Sequence, residues 1–342
     1  MTEKSPLKEA QETFIKALDF RSQPAEQRSL VDALACTLHE SVTAPMDTPP
    51  YPRSIVEGYL IDSSASKGAS EEQPVSFDIV GSVKPGDSEC PTPTAGQAIE
   101  VATGSLVPAA PYAIARMWEI EKSGNSISIK RPFPPGFFIE EQGCDIKKGS
   151  EILTAGSQLD SKAIGDIASL GISNVSVSTP PRVAIFASGD EVIPHTDRFR
   201  MGAIFDCNTP MLSAAVKEAG GIPLPQGIKS DDFEAFVSDV KTALVEADMI
   251  VIAGGTAVGG RDFVSDLIRE VGELLVDGVP MRSGRPLIMG VAQGKPIVCV
   301  AGHPPEALRG FEIFGVAAIN HLLGKNADLP TDPNEQKSGP QG

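Results

Sequence analysis

The sequence predicts an α/β protein: a three-layer, parallel-sheet domain preceded by helical segments and a small β-rich module. Three observations carry this reading. From Pro181 onward, apolar runs at Arg182–Phe186, Ile222–Leu224, Met249–Ile252 and Ile297–Val300 alternate with helical patterns at 209–219, 232–246, 263–271 and 304–323. Such alternation builds βαβ units, and so a parallel sheet with helices on both faces. Between residues 52 and 140 the apolar runs are short and separated by Gly, Pro, Ser and Asp, which reads as an all-β module. Finally, 33 glycines and 29 prolines in 342 residues favour turns and close backbone approaches over a helical bundle.

Taken in order, residues 5–20 and 26–40 show apolar positions at helical spacing, Phe14, Ile15 and Leu18, then Leu30, Val31, Leu34 and Leu38, and are expected as two helices. Pro45, Pro49 and Pro50 stop any helix between Ala44 and Tyr51. The β module's strands are expected at Ser76–Val80, Ala98–Thr103, Tyr112–Met117 and Ser126–Ile129, with Ser63–Gln73 a mobile loop. A helix returns near 161–170, with Gly171 suited to its C-terminal cap. The polar tail from Asp328 is expected to be disordered.

Composition narrows the partners. There are 29 Lys and Arg against 45 Asp and Glu, a net charge of -16. A face that tracks a polyanion needs excess cations, so nucleic acid and anionic membranes are poor partners. Five cysteines, at 36, 90, 144, 207 and 299, include no C-x-x-C pair. That speaks against a zinc ribbon, a redox dithiol or a disulfide scaffold. No apolar leader opens the chain, and the longest apolar run, Met249–Ala253, is too short to span a bilayer; a cytoplasmic location is expected.

In parallel sheets, ligands sit outside the carboxyl ends of the strands. There, Arg182–Phe186 runs into Ser188, Gly189, Asp190 and Glu191, a glycine turn with two carboxylates able to hold Mg²⁺ or a polar substrate; the plain alternative is a polar turn. Met249–Ile252 runs into Gly254, Gly255, Gly259 and Gly260, whose backbone amides could approach an anion, although no P-loop lysine follows. Arg282 and Arg285 flank Gly284, guanidinium forks that suit phosphate or an oxyanion such as molybdate. Ile297–Val300 ends in Gly302 and His303, and no partner for that histidine stands at metal-ligand spacing. Singly these signals are weak. Together they favour one crevice for a phosphate-bearing ligand and a metal ion.

Over residues 10–325 the chain resembles the molybdopterin molybdenumtransferases, the MoeA/gephyrin E-domain family. Pro45-x-Asp47-x-Pro49 leads into Ser54-Ile55-Val56-Glu57-Gly58-Tyr59, similar to the family's S-A-M-D-G-Y. Ala102-Thr103-Gly104-x-x-Val107-Pro108 resembles M-T-G-A-x-[VL]-P, and Gln142-Gly143-x-Asp145-Ile146 resembles R-G-x-D-[IV]. Ser188-Gly189-Asp190-Glu191 matches S-G-D-E, and Phe205-Asp206-x-Asn208 resembles Y-D-[ST]-N. Asp231-Asp232 follows Gly227-Ile228 as in the family. Gly254-Gly255-x-x-Val258-Gly259-x-x-Asp262, Arg282-x-Gly284-Arg285-Pro286 and Gly302-x-Pro304 parallel G-G-V-S-V-G-x-x-D, K-P-G-K-P and G-N-P.

The resemblance implies a molybdopterin-binding, MogA-like α/β domain at 180–326. It implies a helical or mixed domain from 1–50 plus 141–179, a β-rich domain inserted at 51–140, and a tail at 327–342. No sequence is left for the family's C-terminal β-barrel domain. The implied reaction inserts molybdate into adenylylated molybdopterin and releases AMP with the help of Mg²⁺, in a homodimer that could serve apo-molybdoenzymes. Implied catalytic positions are Glu57, Thr103, Asp145 and Asp262. Implied ligand-binding positions are Ser188, Gly189, Asp190, Asp206, Asn208, Gly254, Gly255, Gly259, Arg282, Arg285, Gly302 and His303. Implied metal ligands are Glu191, Asp231 and Asp262.

Departures from the pattern keep a second function open. Glu57 replaces an Asp, and ~1 Å of misplacement can cost about a hundredfold in rate. Ala257 replaces a Ser, Arg282 and Arg285 two Lys, Gly278 a Lys, His303 an Asn and Glu306 a Ser. The alternative is therefore a non-catalytic protein that binds and delivers molybdopterin or finished cofactor. A nucleotide-pyrophosphatase-like hydrolase is a third reading, disfavoured by the V-E-G-Y segment and the inserted β module.

Overall fold

The computed structural model describes residues 6–18, 23–108, 111–230, 232–254, 263–279, 287–325 and 329. The expected tail at 327–342 lies outside them apart from Leu329. The chain divides into two compact units, residues 1–40, 154–164 and 174–342, and residues 41–153 and 165–173.

The α/β unit holds a six-stranded sheet. Within it, in chain order, are β1 (Arg182–Ser188), α1 (Asn208–Ala219), β2 (Ile222–Lys229), α2 (Phe233–Glu246), β3 (Met249–Ala253), α3 (Phe263–Val271), β4 (Glu273–Asp277), β5 (Ile288–Ala292), β6 (Lys295–Val300), α4 (Pro304–Gly310) and α5 (Val316–Leu323). A π turn, Phe311–Gly315, joins α4 to α5. The strand order is β2-β1-β3-β6-β5-β4. The first four strands are parallel. All four expected strands and all four expected helices of this half are present. The structure adds β4 and β5, which pair antiparallel and make the sheet mixed.

The three layers follow from the period of two along each strand. Val183 and Ile185 of β1 face one core, with Leu212 and Val216 of α1, Phe314 of the π turn and Ile319 of α5. Ala184 and Phe186 face the opposite core, with Phe236 and Val240 of α2 and Val264 and Leu267 of α3. Both strand faces are buried, so the strands read as continuous apolar runs rather than alternating ones.

The N-terminal helix spans Pro6–Ala17. It packs into the α/β unit: Phe14 meets Phe314 edge-on at 6.3 Å, and Gln11 Nε2 donates to the Ile313 carbonyl at 3.0 Å. The second expected helix, 26–40, is absent. Ala25–Ser29 is instead a strand, antiparallel to Asn174–Ser178. The helical spacing there was misleading, because Val31 and Leu34 are exposed, at 88% and 60%. Ala35 has φ +64, which no α-helix contains. Tertiary strand pairing has overridden the local pattern, so the segment grouped with 141–179 as helical is a strand and turns.

The second unit holds a separate six-stranded sheet, in the order Tyr112–Arg116, Gly58–Asp62, Gln97–Val101, Val75–Val83, Ser126–Ile129 and Ile120–Ser123. The four expected strands are there, joined by two that the sequence did not signal. Gly58–Asp62 lies between two antiparallel neighbours, with Tyr59, Leu60 and Ile61 at most 1% exposed. The expected mobile loop 63–73 starts instead as a 3-10 turn, Ser63–Ser66. The buried Ser66 hydroxyl donates to the Ser63 carbonyl at 2.7 Å and accepts from the Phe133 amide at 3.0 Å.

Glu119 sits between two arginines in this unit. Arg116 holds both its oxygens, Nε to Oε2 at 2.8 Å and Nη2 to Oε1 at 2.7 Å, and Arg131 Nη2 reaches Oε1 at 2.5 Å. Hydrogen bonding from Arg116, seconded by Arg131 and opposed by burial, lowers its pKa from 4.5 to about 2. A depressed carboxylate stabilises the fold fully above its unfolded value and loses that contribution as pH falls through the folded one. Glu119→Gln is therefore expected to flatten the loss of stability between pH 4.5 and about 2, measured as melting temperature against pH. An unchanged acid limb would remove the triad as its cause.

Candidate functional site

Three strand ends converge in the α/β unit. A cavity of about 260 Å³ is lined by Ala187 and Ser188 from the end of β1, Ala253 from the end of β3, and Gly302, His303 and Pro304 beyond β6. The chain after β1 closes the remaining wall. Gly189 to Val192 turns, with the Val192 amide donating to the Gly189 carbonyl at 3.0 Å. Val192–Ile193 then pairs in parallel with Ile204–Phe205, returning the chain to the cavity and to the start of α1. Glu191, Val192, Ile204, Phe205, Asp206, Cys207 and Asn208 complete the lining.

Asp206, Asn208 and His303 each have a structural reason for their place. Asp206 Oδ1 accepts the Thr209 amide at 3.0 Å, which caps the first turn of α1. Asn208 Nδ2 donates to the Gly302 carbonyl at 2.8 Å, tying the α1 N-terminus to the turn beyond β6. His303 is the N-cap residue of α4, with its carbonyl accepting from Glu306 at 3.1 Å and Ala307 at 2.9 Å. Gly254 has φ +98, and a Cβ there would lie 2.8 Å from the Ser188 carbonyl oxygen. Only glycine lets β3 turn so close to β1. Beneath it, the buried Cys299 thiol lies 3.6 Å from the Gly254 carbonyl, and burial pushes that thiol up to about 12. It stays a protonated donor.

Two buried polar atoms of the lining residues have no hydrogen-bond partner among the described residues: Ser188 Oγ and Asn208 Oδ1. Buried polar groups in native proteins are nearly always satisfied, so orphans along a cavity mark groups available to a ligand. Ser188 itself is 7% exposed.

Of the expected positions, the structure brings Ser188, Glu191, Asp206, Asn208, Gly302 and His303 to one cavity. Gly189 and Asp190 form the turn between two of them, and the Asp190 carbonyl accepts from Arg200 at 3.4 Å. Gly255, Gly259, Asp231, Asp262, Arg282 and Arg285 lie outside the described residues. Glu57, Thr103 and Asp145 belong to the β-rich unit. Pairing of Gly58 with Val101 sets Glu57 and Thr103 at one end of two neighbouring strands, both exposed. Asp145 is also exposed and lies apart on the chain's return, its amide donating to the Thr48 carbonyl at 3.1 Å. Sequence reasoning missed Val192 and Ile204 as lining residues; the two-residue strand pair that carries them to the cavity leaves no periodic signal.

The β-rich unit has a larger groove, about 410 Å³, lined in part by Glu71, Trp118, Glu121, Lys130 and Arg131. Its cations are already paired, Lys130 with Glu71 and Glu121, Arg131 with Glu119. Chemistry rather than volume therefore favours the smaller cavity. For a metal, Glu191 lines that cavity, but among the described residues no three His, Cys, Asp or Glu side chains gather as ligands.

Comparisons with known proteins bear on both units. The family described as "MoeA N-terminal region (domain I and II)" matches residues 5–171, and the "Probable molybdopterin binding domain" matches 184–321. A molybdopterin molybdenumtransferase of Staphylococcus epidermidis is 29% identical over 303 residues, 88% of this chain and 72% of that protein. Its counterpart in Staphylococcus aureus is 28% identical over 323 residues, covering 93% and 76%. The crystal structure of a molybdopterin biosynthesis MoeA protein from Pyrococcus horikosii superposes with a TM-score of 0.82 at 29% identity, over 95% of this chain and 81% of that one.

Proposed function

Because the chain belongs to the molybdopterin molybdenumtransferase (MoeA) family, whose work is molybdenum cofactor biosynthesis, we propose that it inserts molybdate into adenylylated molybdopterin and releases AMP. The observation that supports this most is the cavity at three strand ends, with the Ser188 hydroxyl and the Asn208 amide oxygen buried along it and without hydrogen-bond partners among the described residues. The pterin nucleotide lies in that cavity, and Arg282 and Arg285 offset the charge of its phosphates. Ser188 donates to the ligand, and the α1 N-terminus adds its positive dipole end to the same wall. In a homodimer, Glu57 and Thr103 of the neighbouring subunit position molybdate for the dithiolene.

Magnesium, when bound, would neutralise phosphoanhydride charge. Glu191, Asp231 and Asp262 are its proposed ligands. One described carboxylate does not make an octahedral oxygen site, so no step here runs through the metal.

The test mixes purified protein with adenylylated molybdopterin and molybdate, and measures AMP and cofactor. Release of both is expected. No AMP under conditions where another family member works would end the catalytic reading. Glu57→Asp, which shortens the reach of the carboxylate, is expected to raise the rate by about tenfold. A second reading, cofactor binding and delivery without transfer, draws on His303, which lines the cavity where the family has an Asn. Tight cofactor binding without AMP release would select it.

A further inference from the structure

The cavity carries a nucleophile that the proposed transfer does not use. Of the five cysteines, only Cys207 lines it. Cys207 stands between Asp206 and Asn208 at the start of α1, is exposed, and makes no side-chain hydrogen bond to cap that helix. The related motif, Y-D-[ST]-N, has a hydroxyl at this position, and here a thiol replaces it. The other four cysteines are placed differently. Cys299 is buried, with its thiol pushed up to about 12. Cys90 is half-buried, and burial raises its pKa. Cys36 is half-buried and accepts from Arg28 Nη1 at 3.3 Å. Cys144 is exposed but belongs to the β-rich unit. A second observation marks the space beside Cys207 as one that receives a guest. Ser188, 7% exposed, lines the same cavity, and its Oγ has no hydrogen-bond partner among the described residues. At about 260 Å³ the cavity is below the ~300–1,000 Å³ typical of small-molecule sites. It has no room to spare for a ligand and a substituent on its wall together.

We propose that Cys207 is a thiol-modification site: a small aliphatic disulfide exchanges with it, and the substituent left on its sulfur occupies space the ligand needs. This rests on the reading of the cavity as the pterin-nucleotide site and is independent of whether transfer occurs there. In the exchange, the Cys207 thiolate attacks one sulfur of R–S–S–R. A Cys207–S–R bond forms as the original S–S bond breaks. RS⁻ leaves with the electron pair and takes up the proton that Cys207 gave to solvent. Cys207 is oxidised, one sulfur of the reagent is reduced to a thiol, and a reducing thiol runs the step backwards.

The experiment treats the full chain with hydroxyethyl disulfide and locates the modified cysteines by peptide mass. Adducts are expected on Cys207 and Cys144, and none on Cys299. A second sample receives iodoacetamide, whose thioether the ligand's own thiols cannot reverse: sulfur bonds to carbon, iodide leaves and the proton passes to solvent. Excess reagent is removed, and adenylylated molybdopterin is titrated without molybdate. Alkylation is expected to weaken its binding at least about tenfold, as overfilling a packed space does. Cys144→Ser is expected to keep this sensitivity. Cys207→Ser, which returns the hydroxyl of the related motif, is expected to lose it. Only the ratio of affinities before and after treatment is read within each variant. If Cys207→Ser does not fold, treated Cys144→Ser decides, because its one exposed thiol is Cys207. An unmodified Cys207, an unchanged affinity after its alkylation, or equal sensitivity in folded Cys207→Ser would overturn the inference and leave the reading of the cavity standing. No binding to the untreated protein would overturn both. A chain whose binding is blocked in this way but which releases no AMP loses the catalytic reading and keeps this one.

Discussion

Gly58→Val is expected to prevent the β-rich unit from folding. Gly58 opens the strand Gly58–Asp62, which lies between Gln97–Val101 and Tyr112–Arg116 and pairs with Val101 on one side and Arg116 on the other. A Cβ at this position would sit 2.2 Å from the Ala115 carbonyl oxygen and 2.9 Å from the Ile114 side chain. The first of these is backbone within a ladder and cannot swing aside. Relief would require separating two strands whose residues Leu60, Ile99 and Ile114 are completely buried. Ordinary overpacking costs about 1–3 kcal/mol, and a clash with paired backbone stands at or above the top of that range. Stability of a single domain is only about 5–15 kcal/mol. The measurement is solubility and limited proteolysis of the variant. Protection of residues 41–153 equal to that of the unaltered protein would show that the strands can part at low cost. The position next to Glu57 is therefore glycine for a steric reason that requires no ligand.

The second large effect is expected at Gly254. Gly254→Ala places an L side chain at φ +98, where the left-handed region costs ~1–2 kcal/mol. That alone lowers the melting temperature of a unit this size by roughly 2–8 °C. The heavier consequence falls on binding. The new methyl would lie 2.8 Å from the Ser188 carbonyl and 3.2 Å from the Ser188 hydroxyl, so the end of β1 must shift to admit it. Ser188 carries one of the two polar atoms of the lining that have no partner among the described residues. Displacement by ~1 Å in a preorganised site can cost about a hundredfold. Pterin affinity is expected to fall by that order, with the fold retained. Unaltered affinity in a folded variant would separate the packing of Gly254 on Ser188 from ligand recognition.

How far the sequence discloses this molecule depends on what each segment packs against. β1, β3 and β6 are buried on both faces, so their runs are apolar throughout and plain to see. β5 is the five-residue run IMGVA, interrupted by Gly290, where any Cβ would strike Ile268 at 2.3 Å; its glycine makes room for α3 but weakens the strand pattern. Leu30, Val31, Leu34 and Leu38 keep helical spacing, yet Ala25–Ser29 just before them pairs as a strand with Asn174–Ser178, about 150 residues away, and no local pattern reports such a partner. The candidate site was legible where it follows the rule that ligands meet parallel strands at their carboxyl ends, as at Ser188, Gly302 and His303. Its far wall was not, because Val192–Ile193 and Ile204–Phe205 are too short to show a period.

The outermost strand of the α/β sheet, β2, carries Pro223 and Pro225 two residues apart. The Ile222 amide turns inward to the Pro181 carbonyl at 2.8 Å, so in a parallel ladder the amide positions of 223 and 225 face away from β1. Neither has a hydrogen to offer. This border therefore cannot serve as a template on which a stray extended peptide zips up, a common route from soluble protein to precipitate. Pro223→Thr together with Pro225→Thr would restore those donors, with more light scattering on heating as the outcome to look for.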